Sequence, residues 1–215
     1  MTPDDLAEYA RQNYNADSDS FFSDAEIYKH LWAAQMTLAR ETHCIERVYT
    51  TTTTASQQEY SLPTLAFGLK RATYNGVKLA PISFMQDDVL TLSNQSTTAT
   101  GTPQYYAVWN RTLYLRPIPN SSSGTLKLWT VNKPDETASG GSLDVPEAYH
   151  LMLADYALWR MAAKDQNYQA AGYWKEQWET ALRDAKRHVK VQNRADSFQN
   201  VVDEEQFPIT VIGAL

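Results

Sequence analysis

The sequence predicts an α+β chain in which N- and C-terminal helices form one helical bundle, with an inserted antiparallel β domain and an extended C-terminal arm. Three observations carry this prediction. Apolar residues recur at helical spacing up to about Thr42, alternate with polar ones from Ile45 to Val131, and return to helical spacing from Leu143 onward. Asn75-Gly76, inside the alternating zone, is a two-residue hairpin signal, since both residues accept the positive φ angles of a type I′ turn. No single amphipathic helix covers its own apolar stripe, so the helical zones at the two ends must pack on each other. The expected divisions are 1–44 for the N-terminal helices, 45–133 for the inserted β domain, 134–195 for a C-terminal helical hairpin completing the bundle, and 196–215 for the arm.

The first helix is announced by Thr2-Pro3-Asp4-Asp5: a capping hydroxyl, a proline in the first turn and two carboxylates at the positive end of the helix dipole. It should end near Asn13, before a polar loop from Asn15 to Ser20. Ser23-Asp24-Ala25-Glu26 has the spacing of a capping box, and Phe22 with Ile27 forms the hydrophobic staple that fixes the chain's entry. Ile27, Leu31, Ala34 and Leu38 then mark a core-facing stripe.

From Ile45 the period changes to two, with Ile45, Arg47 and Tyr49 on one side and Glu46, Val48 and Thr50 on the other, followed by threonines that favour extended backbone. Gln104–Trp109, Thr112–Arg116 and Thr125–Val131 read as an antiparallel meander separated by turn residues. Ile82–Leu92 fits either a short helix or irregular chain, and Ser93–Thr102 has the composition of a loop. Pro134–Ser142, with Gly140-Gly141 and no periodic apolar residue, reads as a linker.

Asp144, Pro146 and Glu147 then mark a helix start. Leu151, Ala154, Leu158 and Met161 form one stripe, and Tyr149, Leu153, Tyr156 and Ala157 a second, which predicts a helix buried on most sides. After a break at Asp165-Gln166-Asn167, the last helix presents Ala171, Trp174, Trp178, Ala181, Ala185 and Val189 on one face. Its other face is charged, with Glu179 and Arg183 spaced as an i,i+4 pair. Its basic stretch Arg183, Lys186, Arg187, Lys190 and Arg194 solvates a face or meets an acidic partner.

Composition narrows the function classes. The net charge of −6 disfavours a surface that grips phosphates, which requires clustered Lys and Arg. The acidic opening is unlike a signal peptide, and no apolar run approaches the ~20 residues of a membrane span. The single cysteine, Cys44, reads as a small packed side chain. Phosphate-loop, dinucleotide, nucleophile-elbow and zinc-protease patterns do not occur. His30, His43, His150 and His188 are dispersed, and the acidic pairs Asp4-Asp5 and Asp87-Asp88 read as capping or solvated carboxylates. No catalytic, cofactor-binding or metal-binding residue is expected.

Read in order, several segments resemble a known family. They are the capped Ser23–Glu26 helix, Gly101-Thr102-Pro103-Gln104-Tyr105-Tyr106, Leu113-Tyr114-Leu115-Arg116-Pro117-Ile118-Pro119, Leu126-Lys127-Leu128-Trp129, Leu143 to Tyr149 with Tyr156-Ala157, and the helix around Tyr173-Trp174 to Leu182. This order is similar to that of the head-to-tail adaptors, or connectors, of tailed bacteriophages, including the tail tubular protein A type. The resemblance implies a non-enzymatic virion protein of the neck between capsid and tail, present in the host cytoplasm during assembly. It implies a homo-oligomeric ring of 12 copies that binds the portal protein and a downstream tail or neck protein. Phage DNA would pass through the lumen without specific binding, and no cofactor or membrane is involved. A stopper or tail-terminator ring is the alternative within the structural class, disfavoured by the helical C-terminal third; a DNA-handling packaging protein is the alternative outside it.

The arm is expected to dock on the portal. Phe207, Ile209, Val211 and Ile212 supply β-prone apolar surface that can add to a partner's sheet edge, and Asp203, Glu204 and Glu205 supply charge that sets register.

Overall fold

The computed structural model describes residues 1–16, 21–83 and 99–204, with side chains in the last helix described as far as Val189. Two units result: Met1–Cys44 with the chain from Pro134 onward, and Ile45–Lys133.

In the first unit, α1 (Pro3–Asn13) is capped by Thr2, whose hydroxyl accepts from the Asp5 N–H while the Asp5 carboxylate accepts from the Thr2 N–H at 2.7 Å. α2 (Asp24–Thr42) starts at Ser23, whose hydroxyl accepts from the Glu26 N–H at 3.3 Å. The reciprocal half of that box is not made. The Glu26 carboxylate instead accepts from Lys164 Nζ at 2.6 Å, because a cation from a neighbouring helix is a stronger partner than a backbone amide. Phe22 and Ile27 are both buried, as the staple requires. α2 ends at His43, which caps it in the left-handed conformation with φ of 57°.

The segment from Pro134 to Ser142 is not a free linker. Its Thr137 hydroxyl accepts from the buried Gln35 Nε2 at 2.8 Å, the Gly140 N–H donates to Asp4 at 2.9 Å, and the Asp135 N–H donates to Asp144 at 2.7 Å. Hydrogen bonds fasten this strap without a periodic apolar face. Asp144, expected as a helix cap, is occupied by that bond, while its own N–H donates to Gln35 Oε1 at 3.0 Å. A 3-10 turn over Glu147–Tyr149 follows, and the α-helix proper, α3 (His150–Lys164), begins there.

α3 is the centre of the unit, packing against α1, α2 and the last helix, α4 (Tyr168–Glu204). Leu153, Ala154, Ala157, Leu158, Met161 and Ala162 are buried in it, as two stripes predict. Leu151, assigned to one stripe by spacing, is instead 52% exposed, since α3 retains one side that no described helix covers. On α4 the core positions are Ala171, Trp178, Ala185 and Val189, while Trp174 and Ala181 are half-buried at the margin of the stripe.

α4 continues through Glu204, so the extended arm does not begin at Asp196. No Gly or Pro interrupts 196–204, and a helix already formed propagates cheaply through such residues even without an apolar stripe; Pro208 is the first breaker.

In the second unit, one sheet has the order β1-β10-β3-β4, built from β1 (Glu46–Thr52), β3 (Ala66–Tyr74), β4 (Val77–Lys78) and β10 (Thr125–Asn132), all antiparallel. A second four-stranded sheet has the order β2-β8-β7-β5, from β2 (Glu59–Ser61), β5 (Ala80–Pro81), β7 (Tyr105–Trp109) and β8 (Thr112–Arg116), and two further short strands form a small third sheet. Ala72, Tyr74, Leu126 and Leu128 of the first join Tyr60, Tyr106, Leu113 and Leu115 of the second in one core. The unit is not wholly antiparallel, because β5 runs parallel to β7, and β6 (Thr100–Gly101) parallel to β9 (Ile118–Pro119). Nor do the last three long strands form one meander. Pro117 and Pro119 cannot donate to a ladder, so the chain leaves β8 and β10 inserts between β1 and β3. Most of Ile82–Thr102, including Asp87-Asp88, lies outside the described residues.

Both hairpins turn on two positive-φ residues: Asn75 (48°) with Gly76 (82°), and Asn110 (43°) with Arg111 (63°). The second carries no glycine. Arg111 is held there by its guanidinium, which donates to the carbonyls of Pro63, Thr64 and Ala66 at 2.8 to 3.1 Å. Gly124, entering β10, is needed for space: a Cβ there would lie 2.3 Å from the Tyr74 ring.

The burial difference between the two α4 tryptophans gives a test. Trp178→Ala should lower unfolding stability by about 3 to 5 kcal/mol, the cost of emptying a buried indole site, and Trp174→Ala by distinctly less. Chemical denaturation of the two variants beside the wild type measures the difference.

Candidate assembly surface

Several titratable residues that might have signalled chemistry tie helices together. Asp4 accepts from the Tyr28 hydroxyl and from the Gly140 N–H, and these bonds hold its carboxyl below the usual aspartate range. Tyr14 donates to Asp165 at 2.8 Å; its phenol is pushed up to about 12 by desolvation, with the adjacent carboxylate adding to the effect. The four histidines do not converge. His30 sits on α2 beside Glu26, its proton affinity lowered first by desolvation and then by the nearby Arg160 cation. His43 caps α2, His150 is buried with Nε2 3.0 Å from the Val145 carbonyl, and His188 meets the Tyr149 hydroxyl at 2.9 Å. Cys44 is half-buried rather than buried. Among the described residues no group of three or more His, Cys, Asp or Glu side chains is placed to hold a metal ion.

What the helical unit does present is aromatic and charged surface. Trp159 on α3 has the Arg160 guanidinium and the Lys175 ammonium each 5.7 Å from its ring centre, and Tyr156 bridges it edge-on to the buried Trp178. Tyr168 and Tyr173 are exposed at the start of α4, with Tyr173 edge-on to Trp174 at 5.0 Å. Trp, Tyr and Arg are the side chains that most often anchor protein interfaces.

A match along most of the chain points the same way, the family model described as SU10 adaptor protein covering residues 1–203. The chain belongs to the SU10 adaptor protein family. As a member of that phage adaptor family it is a structural virion component whose role is to meet other phage head or tail proteins. Among curated proteins none matches the chain. No described helix of this adaptor is long and apolar enough to cross a membrane.

The residues assigned by sequence to portal docking divide at the end of α4. Asp203 and Glu204 form its last turn, while Glu205, Phe207, Ile209, Val211 and Ile212 lie outside the described residues. The basic stretch also divides. Lys186 pairs with Glu41 of α2 at 2.8 Å, Arg187 lies 3.6 Å from Asp184, and Arg183 has no ion pair among the described residues, Glu179 having turned to Lys175 at 3.6 Å.

Asp155 on α3 was given no role by sequence. It is half-buried, has no hydrogen bond or ion pair among the described residues, and desolvation raises its carboxyl to about 6. Its position one turn after Leu151, on a helix expected to be buried on most sides, was the available signal, since a carboxylate there is out of place.

The sign of the resulting pH dependence is fixed. A carboxyl whose folded-state affinity for protons exceeds the ordinary value of 3.8 destabilises the fold when ionised, so the cost is present above pH 6 and disappears as pH falls from about 6 through 3.8. Asp155→Asn should therefore stabilise the unassembled chain at pH 7 by about 1 kcal/mol, after allowance for solvent screening of a half-exposed group, and should lose that advantage near pH 4. Melting curves of dilute protein at the two pH values check this.

Proposed function

We propose that this adaptor is one subunit of a closed ring, of twelve copies, that joins the portal to the next neck or tail protein and lets the genome pass, as in adaptors of the tail tubular protein A type. The family match over residues 1–203 carries the reading. Three features support it. The helical unit offers interface-type aromatics on α3 and α4, several of its polar side chains brace the bundle, and the chain's net charge of −6 gives DNA little to adhere to. The end of α4 and the segment after it are assigned to portal docking, with Phe207, Ile209, Val211 and Ile212 as apolar contacts and Asp203, Glu204 and Glu205 as the charges that set register.

Light scattering of the purified chain, alone and mixed with the portal of the same phage, should give a discrete multiple of 24.4 kDa, and images of the complex should show a ring around the DNA channel. A chain that stays monomeric in both conditions would overturn the reading. Removing residues after Glu204 should leave the melting temperature nearly unchanged and abolish co-purification with portal; undiminished binding would remove the docking role from that segment.

A further inference from the structure

Three residues of the helical unit are left unexplained by its internal packing. Leu151 is 52% exposed on α3 despite its core spacing. One turn on, Asp155 is half-buried, with neither a hydrogen bond nor an ion pair among the described residues. Partial removal of a carboxylate from water without a counter-charge is unfavourable, and an arriving cation offsets it. On α4, Arg183 is exposed and unpaired among the described residues, and Arg187, one turn later, is 75% exposed.

These features are complementary in chemistry but lie on different sides of one helical hairpin. α4 packs on α3 through Ala171, Trp178 and Ala185, and Arg183, five residues beyond Trp178, is about 140° around the helix from that face. The chain's own Arg183 therefore leaves its own Asp155 unpaired. A second copy supplies what each patch lacks. An arginine is suited to both parts of the α3 patch at once, because its aliphatic stem covers an exposed leucine while its planar guanidinium meets the carboxylate in two parallel hydrogen bonds.

We propose that neighbouring copies of this chain join through α3 of one and α4 of the next, Arg183 of the second copy lying over Leu151 and pairing with Asp155. The contact is heterologous: each copy uses its α3 patch toward one neighbour and its α4 patch toward the other. Contacts of that type build a ring when the rotation from copy to copy closes on itself. The inference deepens the ring reading and rests on it.

Charge reversal tests the pairing in the full-length chain. Asp155→Lys and Arg183→Glu should each weaken self-association at least about tenfold, measured by sedimentation and native mass, and the double variant should recover most of the loss. Asp155→Asn guards against misfolding as an explanation. It should melt higher than the wild type as a dilute monomer and yet associate more weakly, a combination that damage to the fold cannot produce. If the wild type closes into a ring and the reversals leave its mass and dissociation constant unchanged, this contact is wrong while the ring stands. The pairing is equally overturned if the single variants dissociate and the double variant does not recover. If the wild type self-associates neither alone nor on the portal, ring and contact fall together.

Discussion

The fold of the helical unit depends on covering α3. Leu153, Leu158 and Met161 are each fully or almost fully buried, and burying side chains of this size contributes roughly 1.5 to 3 kcal/mol apiece. Their directions around the helix differ, so one neighbouring helix is not enough. α1 and α2 from the start of the chain and α4 from its end all have to reach α3, which commits the two ends of the sequence to one body although Ile45–Lys133 intervenes. Closing so long a loop is entropically tolerable because the cost rises only logarithmically with length. The strap from Pro134 onward then secures the return, with Gln35 as its buried anchor at both ends of its amide.

The same requirement explains how several polar residues of this unit are used. A bundle assembled from distant segments needs specific ties to fix how its helices meet. Asp4 to Tyr28 and Gly140, Tyr14 to Asp165, Lys164 to Glu26 and Lys186 to Glu41 each join separate segments of the chain. Asp155 and Arg183 stand outside this network. In a family of structural adaptors, a charge left unsatisfied by its own fold is where another molecule is expected to contribute.

The β unit solves a different problem with the same economy of signals. Its two larger sheets share one core drawn from alternating residues, and β10, flanked by β1 and β3, is one of the two inner strands of the first sheet. Tyr74 packs so close to Gly124 that the entry to β10 admits no side chain, and the Asn75 carboxamide accepts from the Thr125 N–H at 2.7 Å. Turn chemistry at Asn75-Gly76 thus fixes both its own hairpin and the start of a strand fifty residues later.

Local rules determined by sequence alone what depends on neighbouring residues: the Thr2 and Ser23 caps, the Phe22–Ile27 staple, the Asn75-Gly76 turn and the period of each strand and helix. The α+β character and the membership of a phage adaptor family were legible for the same reason, since the order of such elements is written along the chain. Tertiary structure decided what depends on residues far apart in sequence. Which sheet receives β10, why Arg111 sits at positive φ, and that Glu26 answers Lys164 instead of its own helix start all turn on partners dozens of residues away. So does the fate of Leu151 and Asp155. Helical spacing places both on α3, but it does not count how many helices are available to surround it. Three described helices leave one side of α3 uncovered, and that shortfall, invisible to periodicity, is what exposes a leucine and leaves a half-buried carboxylate without a partner among the described residues.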